Sequence, residues 1–266
     1  MNDEERFVFD LNGYLHLPGV LDTELIYEMN QWLDVQAKTD PAWEGQTGNA
    51  HLNNPITWGE SFLNLMDHER VLPILGYLLG DRYRLDHDYA IFLKPGHTGL
   101  RLHGPNATPF DPCHYYRCDN GRISCGLTVV LWALTDAPPG SGGLGVIPGS
   151  HKSNFECPED IRLFKRETPI VKQVPLNAGD CVIFTEALVH GTLPWKGPGE
   201  RRSLFYKYSP CMLSWDRRAY FSEVESIIPP EMESKLNQRQ RLLLERPSAI
   251  DFHPPIELFV ESDNGK

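Results

Sequence analysis

Residues 178–192, AGDCVIFTEALVHGT, contain the strongest local pattern in this chain. A Gly-Asp turn leads into the apolar run 181–184, which predicts a buried strand. His190 follows six residues after Phe184 and precedes the small Gly191. A histidine at this place suits a metal ligand at the mouth of a barrel, and it also suits an exposed histidine of a surface loop. The strand itself is predicted under either interpretation.

The same alternation of strands and turns extends over the middle of the chain. Short β-rich runs alternate with clusters of glycine and proline, which favours a β-sandwich or barrel. The runs are YRLDHDYAIFLK (83–94), ISCGLTVVLWALTD (123–136), GLGVIPGS (143–150), IVKQVPLNAGDCVIF (170–184) and RRSLFYKYS (201–209).

Helical patterns lie outside this central region. Leu25, Met29, Trp32 and Leu33 share one face of a predicted helix, whereas the Gly-, Pro- and Asn-rich residues 40–60 predict a loop. Further helices are predicted within 61–80 and around 230–244. We therefore predict one domain over residues 1–266. It has an N-terminal helical layer at about 1–80, a β core at about 82–210, and a C-terminal helix and coil at 211–266.

Composition excludes several classes of protein. The net charge of −11 argues against a general nucleic-acid binder, because an acidic surface repels phosphates. The charged N-terminus does not resemble a signal peptide, and no apolar run approaches the ~20 residues of a membrane span. The six cysteines include no C-x-x-C pair, which is typical of reduced, semi-buried thiols. We expect a cytoplasmic protein that binds neither nucleic acid nor membrane.

Two further features follow the central strands. Arg201 opens a strand eleven residues after His190, and an arginine at that place can pair bidentately with a carboxylate. Arg201 and Arg202 can also form an exposed pair, although alternation allows only one of them to point inward. His151, in the turn PGSHK, is more typical of a residue that caps or packs this turn than of a ligand.

Five stretches in order resemble the phytanoyl-CoA dioxygenase superfamily of iron(II)/2-oxoglutarate oxygenases, over roughly residues 10–210. They are GYLHLPGVLD (13–22), FLKPGHTG (92–99), WALTDAPPGSGGLGVIPGSHK (132–152), NAGDCVIFTEALVHGT (177–192) and ERRSLFYKY (200–208). The resemblance implies a mainly β fold, a double-stranded β-helix (jelly-roll, cupin-like) core flanked by α-helices. It also implies Fe(II), 2-oxoglutarate, O2 and a small-molecule substrate.

The same resemblance implies roles for individual residues. His190 would be the distal metal ligand, and Arg201 would bind the carboxylate of 2-oxoglutarate. Thr192 would lie beside that carboxylate, and Trp132 would line the pocket.

One part of the family pattern is absent from this chain. The family's first two ligands form a His-x-Asp or His-x-Glu motif, but none of the ten histidines has an acidic residue two positions later. We predict that His103 is the first ligand, although its motif reads His103-Gly104-Pro105. His114 and His97 are the rival positions.

Three explanations of the missing carboxylate remain open. Asp111 can complete the triad through an enlarged loop, which predicts a hydroxylase. Alternatively the third position is vacant and chloride binds there, as in related iron halogenases. The third explanation is a decayed, non-catalytic binding protein, but such a protein has no physical need for Arg201. We rank hydroxylation first and halogenation second.

Two weaker assignments concern residues near the expected site. Phe110, Tyr115 and Tyr116 are candidates for substrate contacts, and they also suit the packed rim of a barrel. Asp86 and Asp88 flank His87 and suggest a zinc hydrolase as an enzyme of a different class. Alternation along a strand places both aspartates opposite His87, which weakens that reading.

Overall fold

The computed structural model describes residues 1–39, 49–105, 112–216, 220–221, 226–249 and 256. The α-helices are α1 (Asp3–Asn12), α2 (Thr23–Thr39), α3 (Glu60–Leu63), α4 (Leu72–Leu79), α5 (Glu159–Arg162), α6 (Pro230–Glu233) and α7 (Gln238–Leu243). Short 3-10 helices cover Pro55–Thr57 and Ser150–Lys152. Helix α1 begins with a capping box between Asn2 and Glu5 and ends at Gly13, whose φ of 82° suits a glycine.

Strands make up most of the central region. They are β1 (Tyr14–Leu17), β2 (Asn49–Asn53), β3 (Tyr83–Leu93), β4 (Leu100–His103), β5 (Tyr116–Asp119), β6 (Arg122–Cys125), β7 (Thr128–Ala133), β8 (Gly143–Val146), β9 (Lys172–Gln173), β10 (Cys181–Thr185), β11 (His190–Leu193) and β12 (Arg201–Pro210).

These strands form two main sheets and one hairpin. The larger sheet has the order β1-β10-β7-β12-β3-β2, and the smaller sheet has the order β4-β11-β8-β9. Strands β5 and β6 pair as a separate hairpin, and every pairing is antiparallel. The predicted fold class, a mainly β jelly roll with a helical layer, is confirmed.

The larger sheet has two differently packed faces. On β7, Val130 and Trp132 belong to the core shared with the helices, whereas Val129 and Leu131 belong to a separate core with β8 and Trp195. Alternation along the strand explains this division, because successive side chains point to opposite faces. The second core fills the interior of the jelly roll, and the candidate site borders it.

Three predicted elements differ from the structure. The predicted loop 40–60 contains β2 and a 3-10 helix, because the Asn-rich segment pairs with the edge of β3 despite its loop-like composition. The helical region 61–80 consists of α3 and α4, and Pro73 lies in the first turn of α4. The C-terminal region has two short helices, α6 and α7, and the second begins at a capping box on Asn237.

Strands β1 and β2 both join the larger sheet, so the β core begins within the predicted N-terminal helical layer. That residues 1–266 form one domain stays a prediction. All six cysteines are free thiols. Among the residues that the structure describes, no helix combines the length and the apolar character that crossing a membrane requires.

Candidate metal and cosubstrate site

Two distant histidines meet across a pair of strands in the smaller sheet. His190, the first residue of β11, pairs directly with His103, the last residue of β4. Their ring centroids are 4.3 Å apart. Directly opposed residues of an antiparallel pair share one face, so the register of β4 and β11 brings both imidazoles to the same place.

Both rings present the same nitrogen to that place. Nδ1 of His190 donates to the carbonyl of Leu188 at 2.7 Å, and Nδ1 of His103 donates to the carbonyl of Arg101 at 3.1 Å. A carbonyl oxygen can only accept, so the proton lies on Nδ1 and Nε2 keeps its lone pair. This hydrogen-bond arrangement is typical of histidines that bind a metal through Nε2.

Burial keeps both rings neutral. It lowers the pKa of His190 to about 3, and it lowers the pKa of His103 below its ordinary value. A neutral imidazole is the form that coordinates a metal ion.

A buried carboxylate lies beside the two rings. Glu186 follows β10, and its Oε2 atom lies 3.9 Å from Nε2 of His190. The ligand atoms of His103, Glu186 and His190 all lie within 4.8 Å of one another. Within the described ranges, this is the only group of three or more histidine, cysteine or acidic side chains placed to hold one metal ion.

Sequence reasoning missed Glu186 as a candidate ligand. The residue lies inside the quoted stretch 178–192, four positions before His190. The signal available in the sequence was this short spacing, since Glu186 lies on the connection that leads from β10 to His190. The family's His-x-Asp motif instead predicts an acidic ligand after His103.

Lys207 pairs with this carboxylate. Its Nζ lies 2.6 Å from Oε1 of Glu186, and both side chains are nearly inaccessible to solvent. Burial alone would raise the pKa of Glu186, but the positive charge of Lys207 outweighs burial and holds that pKa well below its usual range. Burial alone would lower the pKa of Lys207, but Glu186 holds it above its usual range. The pair is therefore ionised.

Arg201 is a buried cation without a described counter-ion. Its side chain is 1 % exposed, its Nη1 atom has no hydrogen-bond partner, and no described carboxylate forms an ion pair with it. Burial lowers the pKa of the Arg201 guanidinium to about 10, which leaves it charged at neutral pH. Leaving a charge buried and uncompensated costs several kcal/mol, at about the 3–5 kcal/mol seen when one partner of a buried pair is removed. The position therefore suits an anionic ligand such as a carboxylate.

The neighbouring Arg202 has the opposite environment. Its Nε lies 2.7 Å from Glu200, and its Nη2 lies 2.6 Å from Asp34 of α2. Alternation along β12 thus directs Arg201 away from the helices and Arg202 toward them.

Thr192 connects the histidines with Arg201. It lies two residues after His190 on β11 and is buried, so both side chains occupy the same face. The next residue, Leu193, pairs with Gly143, and a β-carbon built on Gly143 would come within 3.1 Å of Arg201 Nε. The guanidinium is therefore only a few residue steps from His190, at ~3.3 Å per step along a strand.

The structure corrects the predicted role of Trp132. Trp132 pairs directly with Leu204 and belongs to the core shared with the helices, where its ring lies 5.4 Å from that of His68. This is the opposite face of the sheet from the interior core, which contains its neighbours Leu131 and Ala133. Trp132 therefore does not line the pocket that Arg201 faces.

The aromatic candidates are only partly described. Phe110 and Asp111 lie outside the described residues. The Tyr116 hydroxyl donates to Asp10 of α1, and its ring packs edge-on against His151, so Tyr116 packs under α1 and does not line the site. Tyr115 lies at the start of the β5–β6 hairpin, with the Arg117 guanidinium 5.3 Å from its ring centroid.

Three other histidines considered as ligands, His97, His114 and His151, occupy other surroundings. Nδ1 of His97 accepts from the backbone N–H of Gly99 in the turn after β3. The ring of His114 lies 4.5 Å from that of Trp215. His151 packs against α1, where Nε2 donates to the carbonyl of Asp10.

The aspartates beside His87 are structural. Asp86 accepts from Arg84, from His87 and from the backbone N–H groups of Trp215 and Asp216. Asp88 accepts from the backbone N–H of Ile56 and from the Tyr220 hydroxyl. These bonds occupy the carboxylates, which argues against the zinc-hydrolase alternative.

Comparison with known proteins agrees with a site that binds a metal ion and a carboxylate. A family model described as phytanoyl-CoA dioxygenase (PhyH) matches residues 9–203. The chain belongs to the phytanoyl-CoA dioxygenase family. Membership confirms the family predicted from sequence and the predicted enzyme class, an oxidoreductase of the dioxygenase type.

Two curated relatives of this family member are dioxygenases. One is the ectoine dioxygenase of Stutzerimonas stutzeri (strain A1501), 26% identical, with 83% of each chain covered. Another is a 2-aminoethylphosphonate dioxygenase from the uncultured bacterium HF130_AEPn_1, 22% identical, covering 86% of this chain and 90% of the relative. Among solved structures, HygX from Streptomyces hygroscopicus with nickel and 2-oxoglutarate bound superposes with a TM-score of 0.73. It is 24% identical and covers 82% of this chain and 90% of HygX, and this likeness shows the shared fold.

Proposed function

We propose that this member of the phytanoyl-CoA dioxygenase family is an Fe(II)/2-oxoglutarate-dependent dioxygenase that hydroxylates a small molecule. His103 and His190 would hold the metal, and Arg201 with Thr192 would bind the distal carboxylate of 2-oxoglutarate. One observation carries the proposal: two neutral imidazoles converge near a buried guanidinium that has no described counter-ion.

The residues present fit both groups. A ferrous ion suits imidazole nitrogens completed by a carboxylate, and it keeps open positions for a chelating cosubstrate and oxygen. A dicarboxylate of this kind needs a fixed cation at its far end, and Arg201 is such a cation. The nickel and 2-oxoglutarate bound in HygX support the same pairing of metal and cosubstrate.

The protein's own contribution is placement and exclusion of water. The hydrogen bonds from Nδ1 of each histidine to a backbone carbonyl keep Nε2 aimed at the metal. Arg201 orients the cosubstrate from its far end, and the apolar interior core, which includes Phe184 beside His190, limits access of water. When bound, iron(II) supplies the redox chemistry by which O2 oxidises 2-oxoglutarate to succinate and CO2 and inserts one oxygen atom into the substrate.

Hydroxylation is favoured over halogenation. Both curated relatives are dioxygenases, as their names state. In addition, the ionised carboxylate of Glu186 lies 3.9 Å from the His190 nitrogen, and its charge opposes binding of chloride there. A non-catalytic binding protein would leave the buried charge of Arg201 without a purpose.

The substrate is proposed to be a small metabolite in the cytoplasm. HygX has been crystallised with hygromycin B bound, and the named substrates of the two relatives are likewise small molecules. Six free thiols agree with a reducing compartment.

The test needs no knowledge of the substrate. The protein is reconstituted with Fe(II) without oxygen and titrated with 2-oxoglutarate, and the metal-to-ligand charge-transfer band is recorded. Oxygen is then added, and succinate is quantified by NMR. We expect a band and slow succinate formation from the native protein and neither from His190→Ala. Undiminished succinate formation by His190→Ala would refute the proposal.

A further inference from the structure

We propose that Glu186 is the third protein ligand of this metal centre and that Lys207 positions it. The inference rests on the proposed function, because it concerns the same ferrous ion. It places the missing carboxylate on the β10–β11 connection instead of the strand of the first histidine.

The usual position cannot supply a carboxylate. The second residue after His103 is Pro105, which has no side-chain donor atom. Gly104 lies against the β10–β11 connection, and a β-carbon on it would come within 3.2 Å of Val189. A carboxylate ligand can therefore come only from another segment of the chain.

The β10–β11 connection holds Glu186 in a fixed backbone position. The N–H of Glu186 donates to the carbonyl of Leu127 at 2.9 Å, and the N–H of Leu188 donates to the carbonyl of Thr185 at 2.9 Å. The Thr185 hydroxyl accepts from the N–H of Ala187. Glu186 and His190 are thus carried by one short, hydrogen-bonded segment that ends on the metal side of β11.

The two carboxylate oxygens of Glu186 have different surroundings. Oε1 pairs with Lys207 Nζ at 2.6 Å, whereas Oε2 faces His190 Nε2 at 3.9 Å. The ion pair with Lys207 engages one carboxylate oxygen and leaves the other beside Nε2 of His190. A carboxylate that binds a metal through one oxygen is usually held through its other oxygen by a neighbouring group, and here Lys207 can hold Oε1 by their ion pair.

The distances between the three ligand atoms suit a common metal ion after a small movement of the side chains. Ligand atoms ~2.1 Å from one metal at right angles lie about 3 Å apart. The three ligand atoms here lie within 4.8 Å of one another, so side-chain movements that shorten these separations by at most about 2 Å bring them into range. The charges also agree, because Lys207 balances Glu186 and Arg201 remains for the cosubstrate.

A purely structural ion pair is the competing explanation. It predicts that Glu186 and Lys207 stabilise the fold and that replacing either residue leaves metal affinity unchanged. A ligand predicts that the metal takes over from Lys207 as the partner of the buried carboxylate. The two explanations therefore differ in how metal affects each variant.

The experiment measures metal binding directly. Fe(II) affinity without oxygen and the visible spectrum of the Co(II)-substituted protein are compared for the native chain, Glu186→Gln, Glu186→Asp and Asp111→Asn. We expect Glu186→Gln to bind Fe(II) about 100-fold more weakly and to change the Co(II) spectrum, with partial recovery in Glu186→Asp. Asp111→Asn should match the native chain.

Lys207 variants keep the test decisive if Glu186→Gln folds poorly. Glu186→Gln/Lys207→Met removes both buried charges, so it should fold and still bind metal weakly. Lys207→Met alone strands the carboxylate, and Fe(II) should then raise its melting temperature more than that of the native chain. Native metal affinity in the double variant, or loss of metal in Asp111→Asn, would overturn the inference. His190→Ala separates the two proposals, because unaltered metal binding there would defeat the proposed function itself.

Discussion

A β-carbon on Gly143 would stand 3.1 Å from the Nε atom of Arg201, so this glycine makes room for the guanidinium. Gly143 also has a φ of 88°, which L-residues rarely adopt. The first glycine of β8 therefore serves both the turn before the strand and the cation opposite it. Arg201 depends on that space for its orientation.

Gly143→Ala should weaken binding of the cosubstrate, 2-oxoglutarate. The new methyl group displaces Arg201, and we expect the apparent KM for 2-oxoglutarate to rise about tenfold, as loss of ~1.4 kcal/mol of binding would produce. Gly140→Ala is the matched control, because Gly140 has a φ of 82° but nothing within 4 Å of its would-be β-carbon. Both variants should lose about 1 kcal/mol of stability from backbone strain, but only Gly143→Ala should change KM. An equal KM in the two variants would contradict the role given to Gly143.

Arg201→Met should abolish cosubstrate binding without destabilising the protein that lacks cosubstrate. A buried charge without a partner is costly, so an apolar side chain of similar length should keep or raise the free energy of unfolding. Arg202→Met should instead lower it by about 1 kcal/mol, since Arg202 pairs with Asp34 and Glu200. Urea denaturation without 2-oxoglutarate measures both effects. A loss of several kcal/mol in Arg201→Met would indicate a structural role for Arg201.

His103→Ala should lose Fe(II) affinity, and His97→Ala should not. Both histidines follow the end of β3, but only His103 points Nε2 toward His190, whereas Nδ1 of His97 accepts from Gly99. We expect a fall of at least about 10- to 100-fold for His103→Ala, as disturbance of a metal's surroundings alone can produce. Calorimetric titration with Fe(II) under nitrogen gives the affinities. Loss of metal in His97→Ala with retention in His103→Ala would reassign the first ligand.

Asp180→Asn should make stability less dependent on pH in the acid range. Asp180 accepts from the backbone N–H groups of Gly19 and Asn177 and from His16. Burial would raise its pKa, but these donors outweigh burial and lower that pKa below its usual value. A lowered pKa stabilises the fold above the unfolded value of about 3.9 and loses this contribution as pH falls through the folded pKa.

The native chain should therefore exceed Asp180→Asn by about 2 kcal/mol near pH 7 and by progressively less below about pH 4. Thermal unfolding of both proteins between pH 3 and pH 7 measures the difference. A constant difference over that range would show that ionisation of Asp180 is not its source.

Local patterns in the sequence predicted the parts of the site that depend on strand geometry. Alternation along β12 indicated that only one of Arg201 and Arg202 can point inward, and the structure buries Arg201. Residues 181–184 read as a buried strand and form most of β10. These features follow from a period of two, which the sequence displays directly.

The other parts depend on contacts between distant segments. Trp132 could be assigned to a face only from its pairing with Leu204, and that register is not visible in the local pattern. Glu186 becomes a candidate metal ligand only because β4, which is distant in sequence, pairs with β11 and brings His103 beside His190. Strand β2 could not be predicted from its composition, because pairing with β3 makes this segment extended.

Strand β4 is the outermost described strand of its sheet and pairs with β11 alone, although Leu102 also packs against Ile161 of α5, whereas β11 pairs with strands on both sides. The two imidazoles consequently differ in how readily they can move away from the metal. His103 can move when the four residues of β4 separate from the edge of the sheet, whereas His190 lies on a central strand. Exchange of the metal ion can then proceed through local opening of β4. The amide protons of residues 100–103 should exchange faster in the metal-free protein, while the other strands remain paired.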